Sequence, residues 1–254
     1  MSAPDPTTRF SNRVENYLRY RPRYPRAVID LLRDECGLRA DSIIADLGSG
    51  TGMLAELFLA NGNRVYAVEP NREMREAGER LFGKQPGFTS IAASAESTTL
   101  PDSIADFITA GQAFHWFDQD RSRIEFKRIL RPGGWVVLVW NDRKTDTTSF
   151  LVEYEQLLKD HATDYEQVNH KRVDAAMLGR FFGSSPALRT FPNDQHFGLE
   201  SLKGRLLSSS YVPAAGQPGY EPMLAALDKL FKKHQRNDRV TIEHETLVYY
   251  CQLK

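Results

Sequence analysis

The chain has 254 residues, of which 41% are hydrophobic and 26% charged, a balance typical of one globular domain carrying at most a modest cap. Thirty-three Lys and Arg balance thirty-three Asp and Glu, which leaves no net charge to favour nucleic acid, and Cys36 and Cys251 form no zinc or disulfide pattern. Without an apolar leader or spanning segment, we expect a cytoplasmic monomer or homodimer that binds neither membrane, nucleic acid nor metal.

The N-terminal stretch is predicted to be an arm. Residues 1–8 are expected to be disordered, and Phe10 to Pro25 is rich in Arg and Tyr and contains Arg21-Pro-Arg-Tyr-Pro25. Proline cannot propagate the interior of a helix, so this segment predicts an extended arm or a short helix that ends in a turn.

Helix and strand patterns then alternate up to Trp140. Helices are predicted around the stripes Val28, Leu31 and Leu32; Leu54, Leu57 and Phe58; Met74, Ala77 and Leu81; and Ile124, Ile129 and Leu130. Strands are predicted at Ile43–Leu47, Val65–Val68, Phe88–Ala92, Ala105–Ala110 and Trp135–Trp140. Continuously apolar strands about 20 to 30 residues apart indicate a parallel sheet covered by helices on both faces, an α/β doubly wound fold.

After Arg143 the pattern is less regular. Phe150 to Leu158 predicts a helix, and residues 161–186 remain unassigned. Leu188–Phe197 and Val240–Leu253 predict two closing strands, separated by a helix with the stripe Met223, Leu227, Leu230 and Phe231. The last strand is long and partly alternating, so we expect it to run antiparallel at an edge of the sheet.

The most informative segment is Asp46-Leu-Gly-Ser-Gly-Thr-Gly52, which joins the first strand to a helix. A dinucleotide-binding G-x-G-x-x-G loop would need a third glycine where Met53 stands. Asp46 would be poorly placed beside a pyrophosphate and suits a ligand that carries an ammonium group. A glycine turn that binds nothing is the alternative.

Glu69 ends the second strand, just over twenty residues after the loop begins. An acid at this position can accept hydrogen bonds from ribose hydroxyls. Together with the glycine loop it predicts a nucleoside site.

Asp46 to Gly52, Glu69-Pro70-Asn71 with Met74, and Leu130-Arg-Pro-Gly-Gly134 resemble the class I S-adenosylmethionine-dependent methyltransferases. The similarity is to the type 11 group, which includes ubiquinone/menaquinone and trans-aconitate methyltransferases. It implies a Rossmann-like seven-stranded sheet, mostly parallel, with the last strand inserted antiparallel. It also implies an arm or lid at 1–25, an S-adenosyl-L-methionine-binding core at 26–143, and a part at 144–254 that completes the sheet and caps the substrate side.

The resemblance also implies a set of cofactor-binding residues. Glycines 48, 50 and 52 would line the methionine part with Asp46, and Glu69 would hold the ribose, while Met74 fits either the adenine or plain core packing. Ser94 stands where the family often has an Asp beside the adenine amino group. The complete predicted set is Asp46, Gly48, Ser49, Gly50, Gly52, Glu69, Pro70, Met74, Ser94, Ala95, Glu96, Gln112 and Ala113.

Gly111-Gln-Ala-Phe-His-Trp-Phe-Asp118 follows the fourth strand and resembles the F-H-W segment of the trans-aconitate-like group. Ligands of open α/β sheets bind beyond the carboxyl ends of the strands, so this loop should face the transferred methyl group. His115 is a candidate general base, although it could instead order the loop, and some acceptors need no base. Trp116 suits packing more than chemistry.

Tyr17, Arg21 and Tyr24 resemble the family's arm, which folds over cofactor or substrate. An arginine fork can clamp the carboxylate of either ligand, whereas an arginine of a solvated arm would bind nothing. We assign Tyr17, Arg21, Tyr24, His115 and Trp116 to substrate binding, and Phe181, Phe182 and Ser208–Tyr211 to a lid.

The sequence therefore predicts methyl transfer from S-adenosylmethionine to a small organic molecule. Two alternatives stay open: methylation of RNA or protein, which the neutral charge argues against, and a non-catalytic S-adenosylmethionine-binding module. An Asn-Pro-Pro-Tyr-like loop and a loop cysteine are absent, which argues against base-nitrogen and cytosine C5 methylation.

Overall fold

The computed structural model describes residues 14–163, 165 and 174–253. The helices in these ranges are α1 (Val14–Tyr20), α2 (Ala27–Cys36), α3 (Ala55–Ala60), α4 (Arg72–Phe82), α5 (Gln119–Ile129), α6 (Ser149–His161), α7 (Ala175–Phe182), α8 (Leu199–Leu207) and α9 (Tyr220–His234). The strands are β1 (Ile43–Leu47), β2 (Arg64–Val68), β3 (Phe88–Ile91), β4 (Ala105–Gly111), β5 (Leu130–Arg143), β6 (Ala187–Pro192), β7 (Gln195–Phe197), β8 (Val240–Ile242) and β9 (His244–Cys251). No helix in the described ranges is both long and apolar enough to cross a membrane.

Seven strands form one sheet in the order β3-β2-β1-β4-β5-β9-β6. The first five strands in this order are parallel, and β9 runs antiparallel to both of its neighbours. The predicted doubly wound α/β fold and the antiparallel last strand are confirmed. Its expected place at an edge is wrong, because β9 is inserted between β5 and β6, with Val248 opposite Val139, and β6 takes the edge.

Alternate residues of the central strands face two separate layers of helices. Ile44 and Phe107 pack with α2 and α3 on one face, and Ala45 and Ile108 pack with α5 and α7 on the other. Because side chains alternate along a strand and both faces are covered, the strands are apolar at nearly every position.

Two predicted helix stripes need correction. Ile124 is 72% exposed and Leu81 is 48% exposed. Ile124 and Ile129 are five positions apart, which places them about 140° apart around the helix, so Ile129 is buried with Phe126 instead. In α4 the last buried residue is Phe82, and Leu130 belongs to β5 rather than to the helix before it.

The C-terminal predictions were too coarse. Leu188–Phe197 divides into β6 and β7, and Val240–Leu253 divides into β8 and β9, since β7 and β8 pair in a separate two-stranded sheet. The unassigned region contains α7, and α8 was not predicted. Phe181 and Phe182 form no lid, because both are buried in the core, where Phe181 packs 5.4 Å from the Phe126 ring. The expectation for residues 1–8 lies outside the described residues.

A third apolar cluster joins α6, α8 and α9 to β7 and β8. Helix α1 lies against this cluster through Gly204, where a Cβ atom would stand 2.0 Å from the Tyr20 ring. The arm continues across the sheet, where Arg21 Nη2 donates to the Ser208 carbonyl at 3.1 Å and Asn141 Nδ2 donates to the Pro22 carbonyl at 3.1 Å. The arm is thus held between the carboxyl ends of the strands and the C-terminal cluster.

Candidate active site

The loop after β1 is compact because its glycines leave room for neighbouring segments of the same chain. Gly48 and Gly50 have φ of +63° and +56°, a region that side chains disfavour. A Cβ atom on Gly48 would stand 2.6 Å from Ala113 Cβ, and one on Gly50 would stand 3.3 Å from Met74 Cε. Any side chain at Gly48 would therefore collide with the loop that follows β4.

Glu69 connects the end of β2 to this loop. Its Oε2 accepts a hydrogen bond from the Gly50 amide at 2.8 Å, and its Oε1 accepts one from the Asn71 amide at 2.7 Å. Burial raises the pKa of Glu69, and the two amides oppose that shift. Each carboxylate oxygen keeps a further lone pair with which to accept from a ligand hydroxyl.

Asp46 is fully buried at the end of β1. Its Oδ1 accepts from the Thr109 hydroxyl at 2.8 Å, while its Oδ2 has no hydrogen-bond partner within the described residues. Burial raises the pKa of Asp46 to about 7, although the Thr109 hydroxyl and the Ala55 amide act in the opposite direction. A cationic group beside Oδ2 would supply the missing partner and stabilise the carboxylate.

The glycine loop and the segments that follow β2, β3 and β4 line a cavity of about 180 Å³, here called the glycine-loop cavity. Ten of the thirteen predicted cofactor residues line it: Gly48, Gly50, Glu69, Pro70, Met74, Ser94, Ala95, Glu96, Gln112 and Ala113. Asp46 and Ser49 line an adjoining pocket of about 30 Å³, here called the Asp46 pocket. Gly52 lines neither space, and a Cβ atom there would stand 2.8 Å from the Phe82 ring, so it allows helix α4 to pack against the loop.

The chemistry of these two spaces fits S-adenosylmethionine. Glu69 offers acceptors for ribose hydroxyls, and Met74 and Phe117 offer an apolar surface for a planar base. The Asp46 pocket offers an anion for the α-ammonium group. The residues present can therefore hold each part of the nucleoside.

A second cavity of about 140 Å³, here called the arginine cavity, adjoins the first. All five predicted substrate residues line it: Tyr17, Arg21, Tyr24, His115 and Trp116. Tyr17, Gln112 and Trp116 line both cavities and so form their common wall. Tyr24 also closes the back of the site, where its hydroxyl leaves no space for a Cβ atom on Gly111.

Gln112 adopts φ of +57°, which is rare for a residue other than glycine. Its amide donates to the Val139 carbonyl at 2.9 Å, and its Nε2 donates to the Asn141 carbonyl at 3.1 Å. Both partners belong to β5, so the sheet itself maintains this backbone conformation. Such conformations cluster where a site must be held in one geometry.

Sequence reasoning missed several residues of the site. Asn71 and Phe117 line the glycine-loop cavity, and Arg143 and Arg205 line the arginine cavity. Asn71 could have been found from its position before Met74, because its side chain caps α4 by accepting from the Met74 amide at 2.9 Å. Arg205 carries no local signal, whereas Tyr211, from the segment predicted as a lid, also lines the arginine cavity.

Comparison with known proteins bears on the family and the fold of this chain. Residues 45–138 match the family model described as a methyltransferase domain. An uncharacterized methyltransferase-like protein of Schizosaccharomyces pombe is 28% identical over 246 residues, which cover 94% of this chain and 93% of that protein. An uncharacterized methyltransferase of Bacillus cereus is 30% identical over 146 residues, which cover 54% of this chain and 67% of the relative. A solved structure from Anaeromyxobacter dehalogenans, described as a type II methyltransferase, has the same fold, with a TM-score of 0.69 at 22% identity over 92% of this chain and 98% of that one.

Proposed function

The chain belongs to the class I S-adenosylmethionine-dependent methyltransferases of the type 11 group, and we propose that it transfers the methyl group to a small organic molecule. The observation that carries the proposal is the common wall between the two cavities. A donor in the glycine-loop cavity and an acceptor in the arginine cavity would meet at Tyr17, Gln112 and Trp116.

In this proposal each part of the cofactor is held by a different element. Glu69 binds the ribose hydroxyls, Asp46 binds the α-ammonium group, and Met74 packs on the adenine. Ser94, Ala95 and Glu96 surround the base, and Gln112 and Ala113 lie near the sulfur. Gly52 acts through the packing of α4 rather than through ligand contact.

When bound, S-adenosylmethionine supplies a methyl group that its positively charged sulfur already activates. The chain therefore contributes chiefly alignment and exclusion of water. Tyr17 covers the meeting point from α1, which packs against α8. Tyr24 lies at the back of the site, where it packs with the sheet, α2 and α3. Gln112 keeps the loop after β4 in register with β5.

His115 lies on the acceptor side, in the wall of the arginine cavity and not in that of the glycine-loop cavity. That placement suits a base that receives a proton from a hydroxyl or amine acceptor. An acceptor that is already anionic at the reacting atom would leave His115 with a positioning role.

The small-molecule assignment has two supports. The arginine cavity is covered by the arm and by the segment that contains Tyr211, and the chain as a whole has no net charge to draw it to RNA. An RNA or protein acceptor, and binding without catalysis, are the outcomes that would contradict it.

The test uses S-adenosylmethionine with a labelled methyl group and an extract of the source organism separated into small-molecule, RNA and protein fractions. We expect label in the small-molecule fraction alone. Gly50→Arg should abolish transfer by filling the glycine-loop cavity, whereas Gly133→Arg should not, because Gly133 has a comparable φ of +78° and open space around it. Label in RNA or protein would overturn the choice of acceptor, and tight cofactor binding with no labelled product would favour a binding module.

A further inference from the structure

Arg205 is a buried cation that has no counterion among the residues that the structure describes. It lies on α8, is 6% exposed and lines the arginine cavity. Among the described residues its Nε has no hydrogen-bond partner, and its Nη1 donates to the Ser209 hydroxyl at 3.5 Å. Within the described ranges, no carboxylate forms an ion pair with its guanidinium.

The side chains around Arg205 add positive charge to its surroundings. Burial is the larger cause that lowers the pKa of Arg205, and the positive charge of Arg21 lowers it further. The Arg21 guanidinium lies 5.2 Å from the centre of the Tyr17 ring. Arg143 also lines the cavity, but it is bonded to the Glu155 carboxylate and to the Tyr165 hydroxyl at 2.9 Å. Burial and the nearby Arg205 lower the pKa of His244 to about 3, so that imidazole is neutral and carries no charge.

Asp142 is the acidic residue among those that line the cavity. It forms no ion pair with Arg21 or Arg205 in the described part of the chain. Two guanidinium groups therefore share one small cavity, and no carboxylate of the described ranges pairs with either of them. Leaving a charge buried and unpaired is strongly unfavourable, so such an arrangement is expected where a ligand brings the opposite charge.

We propose that the methyl acceptor is an organic carboxylate whose anionic group lies against Arg205 and Arg21, an inference that rests on the proposed methyl transfer. A planar guanidinium presents parallel N–H donors that match the two oxygens of a carboxylate. The aromatic side chains of Tyr17, Trp116 and Tyr211 line the same cavity and surround the apolar part of the acceptor. The carboxylate thus orients the acceptor toward the common wall of the two cavities.

The cofactor has a carboxylate of its own, and position distinguishes the two ligands. Arg205 lines the arginine cavity but neither the glycine-loop cavity nor the Asp46 pocket. Arg21 is stacked on Tyr17, a residue that lines all three spaces. Arg205 is therefore assigned to the acceptor, and its replacement should leave cofactor binding intact.

The test compares Arg205→Met with Lys203→Met, a replacement on the same helix of a residue that pairs with Glu200 and Asp228. Arg205→Met should raise the melting temperature of the unliganded protein by about 2 °C or more, because it removes an unpaired buried charge. Its affinity for S-adenosylhomocysteine, measured by calorimetry, should stay within about twofold of the wild-type value. Lys203→Met should change neither cofactor affinity nor transfer.

Transfer is then measured with labelled S-adenosylmethionine on a small-molecule extract that has been separated by anion exchange and treated with phosphatase. Wild-type protein should label the retained, anionic fraction and not the flow-through, and Arg205→Met should lose at least about tenfold of that activity.

Product from the flow-through, loss of the activity after phosphatase treatment, or undiminished transfer by Arg205→Met would overturn the carboxylate assignment. A tenfold loss of S-adenosylhomocysteine affinity would assign Arg205 to the cofactor instead. Lost transfer together with a lower melting temperature would indicate a structural role and would also overturn it. No product from any fraction with wild-type protein would contradict the proposed function itself.

Discussion

The carboxylate of Glu69 and the backbone amide of Gly50 are joined by a hydrogen bond of 2.8 Å. This bond ties the carboxyl end of β2 to the loop that follows β1, two segments that are neighbours in the sheet but nineteen residues apart in sequence. Since Glu69 lines the glycine-loop cavity, the bond fixes its carboxylate beside that cavity.

Replacing Glu69 tests its assignment to the ribose. Glu69→Ala should weaken S-adenosylmethionine binding by about 100-fold, since hydrogen bonds to a charged group contribute about 1.5–3 kcal/mol each. Calorimetric titration measures the change, and circular dichroism checks that the variant folds. Glu76→Ala is the matched control, because Glu76 is a nearby glutamate on α4 that pairs with Arg72 at the surface. A loss smaller than threefold for Glu69→Ala would contradict the assignment.

Asp46 should make cofactor binding depend on pH. Its pKa is raised to about 7 by burial, so the carboxyl is mostly protonated at pH 5.5 and mostly ionised at pH 7.5. Affinity for S-adenosylmethionine should rise about tenfold over this range, in which the α-ammonium group keeps its proton. Asp46→Asn should bind weakly and with little pH dependence. An equally steep profile in the variant would rule out Asp46 as the source.

The Asp46 carboxyl should also make the stability of the fold depend on pH, but in the opposite direction: stability should fall as pH rises. Its pKa in the folded chain lies above the ordinary 3.8, so the folded state binds the proton more tightly than the unfolded state does. Its stabilising contribution is therefore complete at low pH and is lost as pH rises toward 7. Melting temperatures of wild-type protein and Asp46→Asn, compared without cofactor, should diverge in favour of Asn as pH rises from 5 to 8. A constant difference would show that the carboxyl is not protonated in the fold.

Comparing alanine variants of Gly48 and Gly37 distinguishes the energetic cost of a strained backbone conformation from the cost of a steric collision. Both have positive φ, +63° and +70°, but a Cβ atom on Gly48 would collide with Ala113, whereas one on Gly37 would meet nothing within 4 Å. Gly37→Ala should lower the free energy of unfolding by about 1 kcal/mol. Gly48→Ala should cost about 2–4 kcal/mol and should also displace the loop after β4, which lowers cofactor affinity. Chemical denaturation measures both, and equal costs would contradict the close approach.

His115 is tested as a proton acceptor by His115→Gln. With the acceptor identified in the extract, kcat should fall by about 10²-fold or more, while the affinity for S-adenosylmethionine is unchanged. His196→Gln is the control, because His196 lies at the surface and contacts Thr241. Unchanged kcat would leave His115 with a positioning role.

The fold was largely predictable because its signals are local. The glycine loop, the acid after β2 and the strand spacing each lie within a short stretch of sequence, and the family resemblance depends on those same stretches. Errors arose where periodicity does not determine burial, as at Leu81 and Ile124, and where a pairing partner decides a strand's place. The position of β9 follows from Val248 lying opposite Val139, a contact across more than a hundred residues.

The sequence by itself determined the five parallel strands, the nucleotide-type loop and most of the residues that surround the glycine-loop cavity, since those residues follow directly on the ends of consecutive strands. Only the tertiary structure decided which residues line the adjoining arginine cavity. Arg205 becomes part of the site because Tyr20 packs on Gly204, which places α8 against the arm. The physical reason is that burial and pairing of a charge depend on the elements packed around it, which no local stretch of sequence specifies.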